Sequence, residues 1–249
     1  TDEVGGAPIH TPQPNGICTP QITSENSHMM KLIQEYLDDK QEPGAFLFLD
    51  MEKAFDRVSY DFINKGLEAV GFGKHFRNIV GRIYNPDNPP KRRMYVNGHN
   101  SEWFSIQSGV AQGCPLSPLL FLLVAQALKV SIDMEKGVKG IKIGKNIFKI
   151  LQFADDTTLV LGSKKEIAPA TAAISRWCKA TGMKENMKKR EGLAMGKYRK
   201  QRMPEGTKWA PEGGWCVSLG VPIGNDLNEA AWWTDKINQV RGKVAQWGG

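Results

Sequence analysis

The sequence predicts an α+β fold, in which short buried strands alternate with amphipathic helices. Two observations support this prediction. Apolar residues recur at helical spacing in some segments and form short apolar runs of strand length in others. Turn residues such as Asn97-Gly98 separate neighbouring strand-like segments. With 249 residues and 41% hydrophobic content, the chain is long enough and apolar enough to form a packed core.

The first half of the chain is dominated by helical spacing around one buried strand. Residues 45–49 form an unbroken apolar run that ends on Asp50, as expected of a strand buried on both faces. Apolar residues at helical spacing predict helices on either side of this strand, over residues 24–40, 58–70 and 74–84.

Three pairs of strand-like segments flank turn residues and predict hairpins. The turns are centred on Asn97-Gly98, on Gly144-Lys145-Asn146 and on Ala154-Asp155-Asp156. The last of them would place two adjacent acids at a tight turn. The expected strands are, in pairs, residues 92–96 and 103–107, 141–143 and 147–150, and 151–153 and 157–161.

Two further helices are expected between and after these hairpins. Ser117 followed by Pro118 has the composition of an N-cap and a first helical residue, and the apolar pattern continues through Val130. A second helix is predicted over residues 164–181, and a short strand over residues 192–195 completes the core.

Two segments show little periodicity. Residues 1–23 are rich in Pro and Gly and predict a loop, and the basic residues 197–214 predict a linker. After the linker, a strand over residues 215–219 and a helix over residues 227–247 are expected.

Composition limits the classes of partner. Lys and Arg outnumber Asp and Glu by 33 to 26, and a net charge of +7 suits a nucleic-acid partner as well as a merely soluble surface. The four cysteines lie far apart, without zinc-site spacing, and suit a reducing compartment. The longest apolar run, residues 116–124, is too short to span a bilayer, so no membrane partner is expected.

Three acids in apolar surroundings, Asp50 and the adjacent pair Asp155 and Asp156, indicate chemistry. Buried carboxylates without partners are disfavoured, and adjacent carboxylates oppose each other's ionisation. A divalent cation would relieve both effects, and Mg²⁺ is usually held by one or two carboxylates together with substrate phosphates. The acids therefore predict a two-metal nucleotidyl-transfer site if the fold brings position 50 beside position 155. Otherwise they are a turn and a strand cap without a shared role.

Three blocks follow one another along the chain: residues 50–56 (DMEKAFD), 112–121 (QGCPLSPLLF) and 153–156 (FADD). In this order they resemble the signature blocks of non-LTR (LINE-type) retrotransposon reverse transcriptases. Residues 219–224 (LGVPIG) look like the primer-grip hairpin of the family. The resemblance implies an RNA-directed DNA polymerase whose partners are an RNA template, a DNA primer and dNTPs. It also implies an intracellular ribonucleoprotein, in the nucleus and cytoplasm if the host is eukaryotic.

The resemblance also implies a polymerase palm, which is a curved antiparallel sheet backed by helices, with the acids on its open face. The palm would cover residues 45–196. Residues 1–44 would be a remnant of the fingers and a connecting helix. Residues 197–249 would hold a linker, the primer-grip-like hairpin and the start of a thumb.

The metal ligands implied by the resemblance are the three acids and one carbonyl. Asp50 and Asp155 match the acids that bind both metals in the family, and Asp156 matches the acid beside them. The main-chain carbonyl of Met51 is expected to add a ligand. The implied cofactor is a pair of Mg²⁺ ions, for which Mn²⁺ could substitute.

Further residues match positions that contact the nucleotide in the family. Phe55 matches the aromatic residue that lies beneath the sugar and favours dNTPs, although it also suits a core position after a strand. Gln112 and Gly113 match a loop near the nucleotide and template. Lys189 ends an Asn-x-x-Lys element and could stabilise or protonate the leaving pyrophosphate, with Lys188 as an equal competitor.

Departures from the family pattern keep two alternatives open. Position 111 is Ala where the family often has Arg, and residues 15–26 contain no Arg. The chain could therefore be a decayed or domesticated copy that acts only as a nucleic-acid-binding module. A group II intron type reverse transcriptase is the second alternative, which Phe153 and Cys114 disfavour.

Overall fold

The computed structural model describes residues 23–247, and it has a mixed architecture of helices and strands as expected. The helices are α1 (Thr23–Lys40), α2 (Ala54–Arg57), α3 (Tyr60–Ala69), α4 (Lys74–Ile83), α5 (Leu116–Met134), α6 (Ile167–Thr181) and α7 (Glu229–Trp247). The strands are β1 (Pro43–Leu49), β2 (Lys91–Arg92), β3 (Tyr95–Val96), β4 (His99–Asn100), β5 (Phe104–Ser105), β6 (Ile141–Ile143), β7 (Asn146–Phe148), β8 (Ile150–Phe153), β9 (Asp156–Leu161), β10 (Glu191–Gly196), β11 (Lys208–Trp209), β12 (Trp215–Ser218) and β13 (Val221–Gly224). The loop predicted at the start of the chain lies outside the described residues, except for Thr23, which begins α1.

The central sheet has five strands in the order β11-β10-β1-β9-β8. β1 lies in the middle and is antiparallel to both neighbours, with Leu47 opposite Leu159 on β9 and Phe46 opposite Leu193 on β10. β8 and β9 form the third predicted hairpin, which turns at Ala154 and Asp155. The strand that the sequence predicts to be buried on both faces is therefore the centre of the sheet.

One edge of the sheet differs from the prediction. The segment expected to be a linker, residues 197–214, contains β11, which runs parallel to β10. The ring of Trp209 on this strand covers Gly192 so closely that a Cβ there would lie 2.6 Å from it. A strand of two residues leaves no alternating pattern in the sequence, so it was missed.

Both faces of the sheet are covered, because side chains alternate between two apolar clusters. Leu47, Leu159 and Leu161 face a cluster formed with α3, α5 and α6. Phe46 and Val160 face a second cluster formed with α1, β6 and the β12–β13 hairpin. The expectation of an open sheet face is wrong for the residues described, and the acids lie instead at one end of the strands.

Replacing Leu159 by Ala tests the packing of the first cluster. Leu159 has no solvent exposure and packs beside Leu47. We expect the substitution to lower the free energy of unfolding by about 3 kcal/mol, as for other large-to-small core changes. Urea unfolding followed by circular dichroism measures this loss. Leu119→Ala, at a position 59% exposed on α5, should change it by less than about 0.5 kcal/mol. Similar losses in both variants would contradict the packing described.

Helix α5 begins two residues earlier than predicted. Pro115 occupies the N-cap position, and Ser117 lies within the first turn, where its hydroxyl donates a hydrogen bond to the Ala111 carbonyl at 2.6 Å. The assignment of Ser117 as N-cap is therefore wrong. Pro118 still falls in the first turn, where no intrahelical bond needs its missing N–H.

Among the helices described, α5 alone is long and apolar enough to cross a membrane. This is weak support for a membrane span, because core helices pass the same test. Leu120, Val124 and Leu128 are buried in the cluster that α5 shares with α3 and α6.

The remaining hairpins follow the predictions with shifted ends. Asn97 and Gly98 both have positive φ, at 50° and 84°, as a tight two-residue hairpin turn requires. This hairpin is split into two short ladders, β3–β4 and β2–β5. The ladders are interrupted where the Ser101 hydroxyl accepts a hydrogen bond from the Met94 N–H. β12 and β13 form the hairpin that was compared with a primer grip.

Candidate active site

Asp50 and Asp156 are brought together by the pairing of β1 with β9. The last pair of this ladder joins Leu49 to Thr157. Because the strands are antiparallel, the next position along the ladder has Asp50, which follows Leu49, facing Asp156, which precedes Thr157. Directly opposed residues in antiparallel strands have Cβ atoms about 5 Å apart. Asp155 follows in the β8–β9 turn, after Ala154, whose φ is 52°. The fold thus gathers the acids of two distant sequence blocks at one end of the sheet.

The charges of these acids oppose one another. Desolvation raises the pKa of the Asp156 carboxyl above its ordinary value, and the neighbouring charges of Asp155 and Asp50 raise it further. Asp50 is half-buried, and both Asp155 and Asp156 are exposed to solvent, so the desolvation of Asp156 is only partial. Within residues 23–247, no group of three or more acidic, His or Cys side chains converges closely enough to form a ready cation site. The arrangement has the electrostatics that a bound cation would relieve.

Asp156→Asn tests the raised pKa of Asp156 through the pH dependence of stability. Because the pKa of Asp156 is raised on folding, the folded chain binds more protons than the unfolded chain between the two pKa values. Its stability therefore falls as pH rises through this range. In EDTA, we expect the variant to be more stable than the parent at about pH 7, and the gain to shrink below the ordinary aspartate pKa of about 3.9. Thermal unfolding of parent and variant at about pH 7 and at a pH below about 3.9 measures this gain in stability. A gain of the same size at both pH values would contradict the raised pKa of Asp156.

Two lysines share a cavity with the acids. The cavity has a volume of about 340 Å³ and is lined by Asp50, Asp156, Lys188 and Lys189, among other residues. Lys189 Nζ lies 3.5 Å from Asp50 Oδ1, and both side chains are partly exposed. The structure thus brings both candidate lysines to the acids, with the Lys189 ammonium in direct contact.

Two residues of this cavity were not recognised from the sequence. Lys208 on β11 and Glu191 on β10 both line it, and their side chains are joined at 2.9 Å. The only sequence signal for Glu191 was an acid directly after the basic run Lys188-Lys189-Arg190. Lys208 lay in the segment expected to be a linker.

The Met51 backbone lies beside the acids. It forms an isolated bridge with Glu185, in which the hydrogen bonds are Asn186 N–H to Asp50 C=O at 2.8 Å and Glu52 N–H to Lys184 C=O at 2.9 Å. The Met51 carbonyl is therefore not engaged with Glu185. The bridge fixes the chain around Asp50 from the side of residues 184–186.

Phe55 and the loop at Gln112 are joined to each other rather than to this cavity. The Phe55 ring stacks on Phe121 of α5, with centroids 4.7 Å apart and planes 12° apart. Its carbonyl accepts a hydrogen bond at 2.8 Å from the Val110 N–H, just before the loop. Gln112 and Gly113 are exposed, and Gly113 has φ of 83°. Stacking on Phe121 also fits the alternative reading of Phe55 as a core residue.

Comparison with known proteins identifies the family. The family model described as reverse transcriptase (RNA-dependent DNA polymerase) matches residues 7–203. The Pol polyprotein from the type-1 retrotransposable element R2 of Popillia japonica is 28% identical over 214 residues, which cover 84% of this chain and 28% of that protein. The Pol polyprotein from the type-2 element R2DM of Drosophila melanogaster is 31% identical over 148 residues, covering 59% of this chain and 13% of that protein. The chain therefore spans less than a third of the length of these relatives.

Solved structures share the fold. The apo telomerase of Candida tropicalis matches with a TM-score of 0.57 at 12% identity, covering 82% of this chain and 35% of that chain. The telomerase of the same organism in complex with a fragment of telomeric RNA matches with a TM-score of 0.56 at 13% identity, covering 82% and 32%. At this identity the likeness concerns the fold alone. Because the family model matches most of the chain and R2 elements are among its relatives, the chain belongs to the reverse transcriptase family, within its non-LTR retrotransposon type.

Proposed function

We propose that this chain carries the polymerase centre of an RNA-directed DNA polymerase, which extends a DNA primer on an RNA template. The main support is the pairing of β1 with β9, which ends at Leu49 and Thr157 and so brings Asp50 and Asp156 into one cavity with Lys188 and Lys189. Asp155 precedes Asp156 in the β8–β9 turn. Two-metal nucleotidyl transfer needs carboxylates that can hold divalent ions, and a nearby ammonium group can offset charge on the leaving phosphate. The R2 relatives favour the retrotransposon type over the group II intron type.

The acids are suited to hold divalent metal. Desolvation raises the pKa of Asp156, and the charges of Asp155 and Asp50 raise it further, so a cation among these carboxylates would favour their ionised forms. In the proposal, Asp50, Asp155 and Asp156 hold two Mg²⁺ ions, with the Met51 carbonyl as a further ligand. Bound there, such ions would activate the primer hydroxyl and neutralise charge on the phosphates.

Side chains around the acids are proposed to orient the dNTP and stabilise the leaving group. In the proposed reaction, the primer 3′-oxygen forms a bond to the α-phosphorus of the dNTP as the bond to the β-phosphate oxygen breaks and pyrophosphate leaves. Lys189, with Lys188 beside it, offsets the charge of the leaving group. Phe55 limits the space at the sugar 2′ position, and Gln112 and Gly113 bring polar and backbone groups towards the nucleotide.

The domain division is part of the same proposal. Residues 45–196 contain the strands and helices that position the acids and act as the palm. Before them, α1 is the connecting helix, and after them the β12–β13 hairpin and α7 begin the thumb. α7 has no buried residues, as expected of a helix at the start of a further unit.

Primer extension tests the proposal. The chain is incubated with a DNA primer on an RNA template, Mg²⁺ and either dNTPs or rNTPs, and products are resolved by length. We expect template-dependent extension that prefers dNTPs. Tight binding of the primer and template by a folded chain, without any extension, would support a nucleic-acid-binding module instead.

A further inference from the structure

A buried ion pair lies at the base of the segment that carries Lys189. The Nε and Nη2 atoms of Arg190 donate to the two carboxylate oxygens of Glu185, each at 2.6 Å. The two side chains are only 3% and 8% exposed. The Nη1 atom of Arg190 donates to the Thr171 hydroxyl of α6 at 3.1 Å, so the pair is also tied to the helix behind the sheet.

The pair joins the two ends of a tight turn. Between Glu185 and Arg190, residues Met187–Lys189 form a single turn of 3-10 helix, which the Lys189 N–H closes by donating to the Asn186 carbonyl at 2.9 Å. Glu185 forms the bridge to Met51, and the Asn186 N–H donates to the Asp50 carbonyl. One end of the turn is thus fixed to the acid-bearing strand.

The other charge contacts near this turn are too exposed to hold it in place. In the pairs Lys189–Asp50, Lys184–Glu52 and Lys208–Glu191, the lysine side chains are 66%, 58% and 77% exposed. Exposed ion pairs contribute little, because solvent screens them and the long side chains stay mobile. A bidentate pair between a guanidinium and a carboxylate has a fixed planar geometry.

Burial of an ion pair is a poor source of stability. Apolar residues of similar volume often replace such pairs without loss, whereas removal of one partner leaves an uncompensated charge. The contribution of the Arg190–Glu185 pair beyond packing is a fixed geometry between the two residues. It fixes the distance between the bridge residue Glu185 and the start of β10, and hence the path of the turn between them.

We propose that Arg190 and Glu185 are positioning residues of the polymerase site. Their pair fixes the turn at residues 187–189 so that the Lys189 ammonium stays beside Asp50. The inference rests on the proposed function, in which Lys189 acts on the triphosphate. Arg190 itself touches neither the acids nor the cavity.

A double-mutant cycle between Arg190 and Lys189 tests the proposal. We expect Arg190→Met to lower the rate of dNTP incorporation by about 100-fold, the loss that small misplacement of a catalytic group can cause. In a Lys189→Ala background, the same change should lower the rate by less than about threefold, because sites that act through one another are not additive. Equal fold losses in both backgrounds would show a purely structural role and overturn the proposal. Arg202→Met is the matched control, because that side chain is 87% exposed.

Two further variants separate positioning from folding. Glu185→Leu combined with Arg190→Leu leaves no uncompensated charge and should fold, but its incorporation rate should remain low because the fixed geometry is lost. Recovery of the full rate in this pair would contradict the inference. If Arg190→Met does not fold, Arg190→Lys replaces it in the cycle, since Lys keeps the charge without the bidentate fork.

Amide hydrogen exchange gives a readout that does not depend on turnover. Without nucleotide or metal, Arg190→Met should raise exchange at residues 184–190 by at least about tenfold, while α6 stays protected. Unchanged exchange there would overturn the positioning role, whatever the activity. A parent chain that does not extend primers, but shows the exchange difference, would contradict the proposed function and leave the positioning of the turn standing.

Discussion

Asp50→Asn is expected to lower primer extension by at least about 1,000-fold. Metal ligation contributes several kcal/mol of charge stabilisation in the transition state, and each 1.4 kcal/mol is about tenfold in rate. Asn keeps the shape of the side chain, and the backbone bonds from Asn186 and around Met51 remain. We therefore expect the fold to survive. Single-turnover incorporation and circular dichroism of the same sample measure both effects.

The control for this prediction is Asp87→Asn, which removes the same charge from an exposed loop outside the cavity. It should leave the rate within about twofold of the parent, as expected for a surface change. If Asp50→Asn retained a tenth or more of the parental rate, Asp50 would not be a metal ligand. Loss of the fold in Asp50→Asn would show that the acid is structural.

Gly109→Ala is expected to have the largest effect on stability near the site. Gly109 has φ of 91°, and a Cβ there would lie 2.6 Å from the carbonyl oxygen of Asp56. The Gly109 N–H also donates to the Val58 carbonyl at 2.8 Å, so the loop cannot withdraw without losing this bond. We expect a loss of about 3 kcal/mol in the free energy of unfolding, from backbone strain and the clash together. Urea unfolding measures this loss.

Gly98→Ala separates strain from contact. Gly98 has a similar φ of 84°, but a Cβ there would meet no atom within 4 Å. Its loss should be only about 1 kcal/mol, the cost of a left-handed conformation. Losses of equal size in the two variants would mean that the approach to Asp56 is unimportant. We also expect Gly109→Ala to reduce primer extension more than Gly98→Ala, because Val110 of that loop holds the Phe55 carbonyl.

Local patterns in the sequence were enough to predict most elements. The unbroken apolar run at residues 45–49 correctly indicated β1, because a strand buried on both faces needs no alternation. Helical spacing indicated α1, α3 and α4, whose ends differ from the prediction by at most two residues. The turn at Ala154 and Asp155 followed from the strand patterns on either side.

Features that depend on tertiary contact were beyond the sequence pattern. The ladder that ends at Leu49 and Thr157, just before Asp50 and Asp156 meet, joins residues more than 100 positions apart, so the juxtaposition rested on the family resemblance. Strand β11 depends on Trp209 packing against Gly192. Ser117 looks like an N-cap, but its hydroxyl bonds to the preceding loop instead of the helix.

The Arg190–Glu185 pair is a further feature that could not be predicted from the sequence pattern. In the sequence, Arg190 ends a basic run and Glu185 precedes it, which is typical of a solvated surface. In the folded chain the pair is buried, and Arg190 also donates a hydrogen bond to Thr171 of α6, a contact between residues 19 positions apart that the local pattern does not indicate.

The most direct measurement is dTTP incorporation on poly(rA) with an oligo(dT) primer and Mg²⁺, comparing the chain with its Asp155→Asn variant. We predict incorporation by the parent that EDTA abolishes, and none by the folded variant. Equal incorporation by both would contradict the assignment of Asp155, and a folded parent that binds the primer and template but incorporates nothing would contradict the polymerase itself.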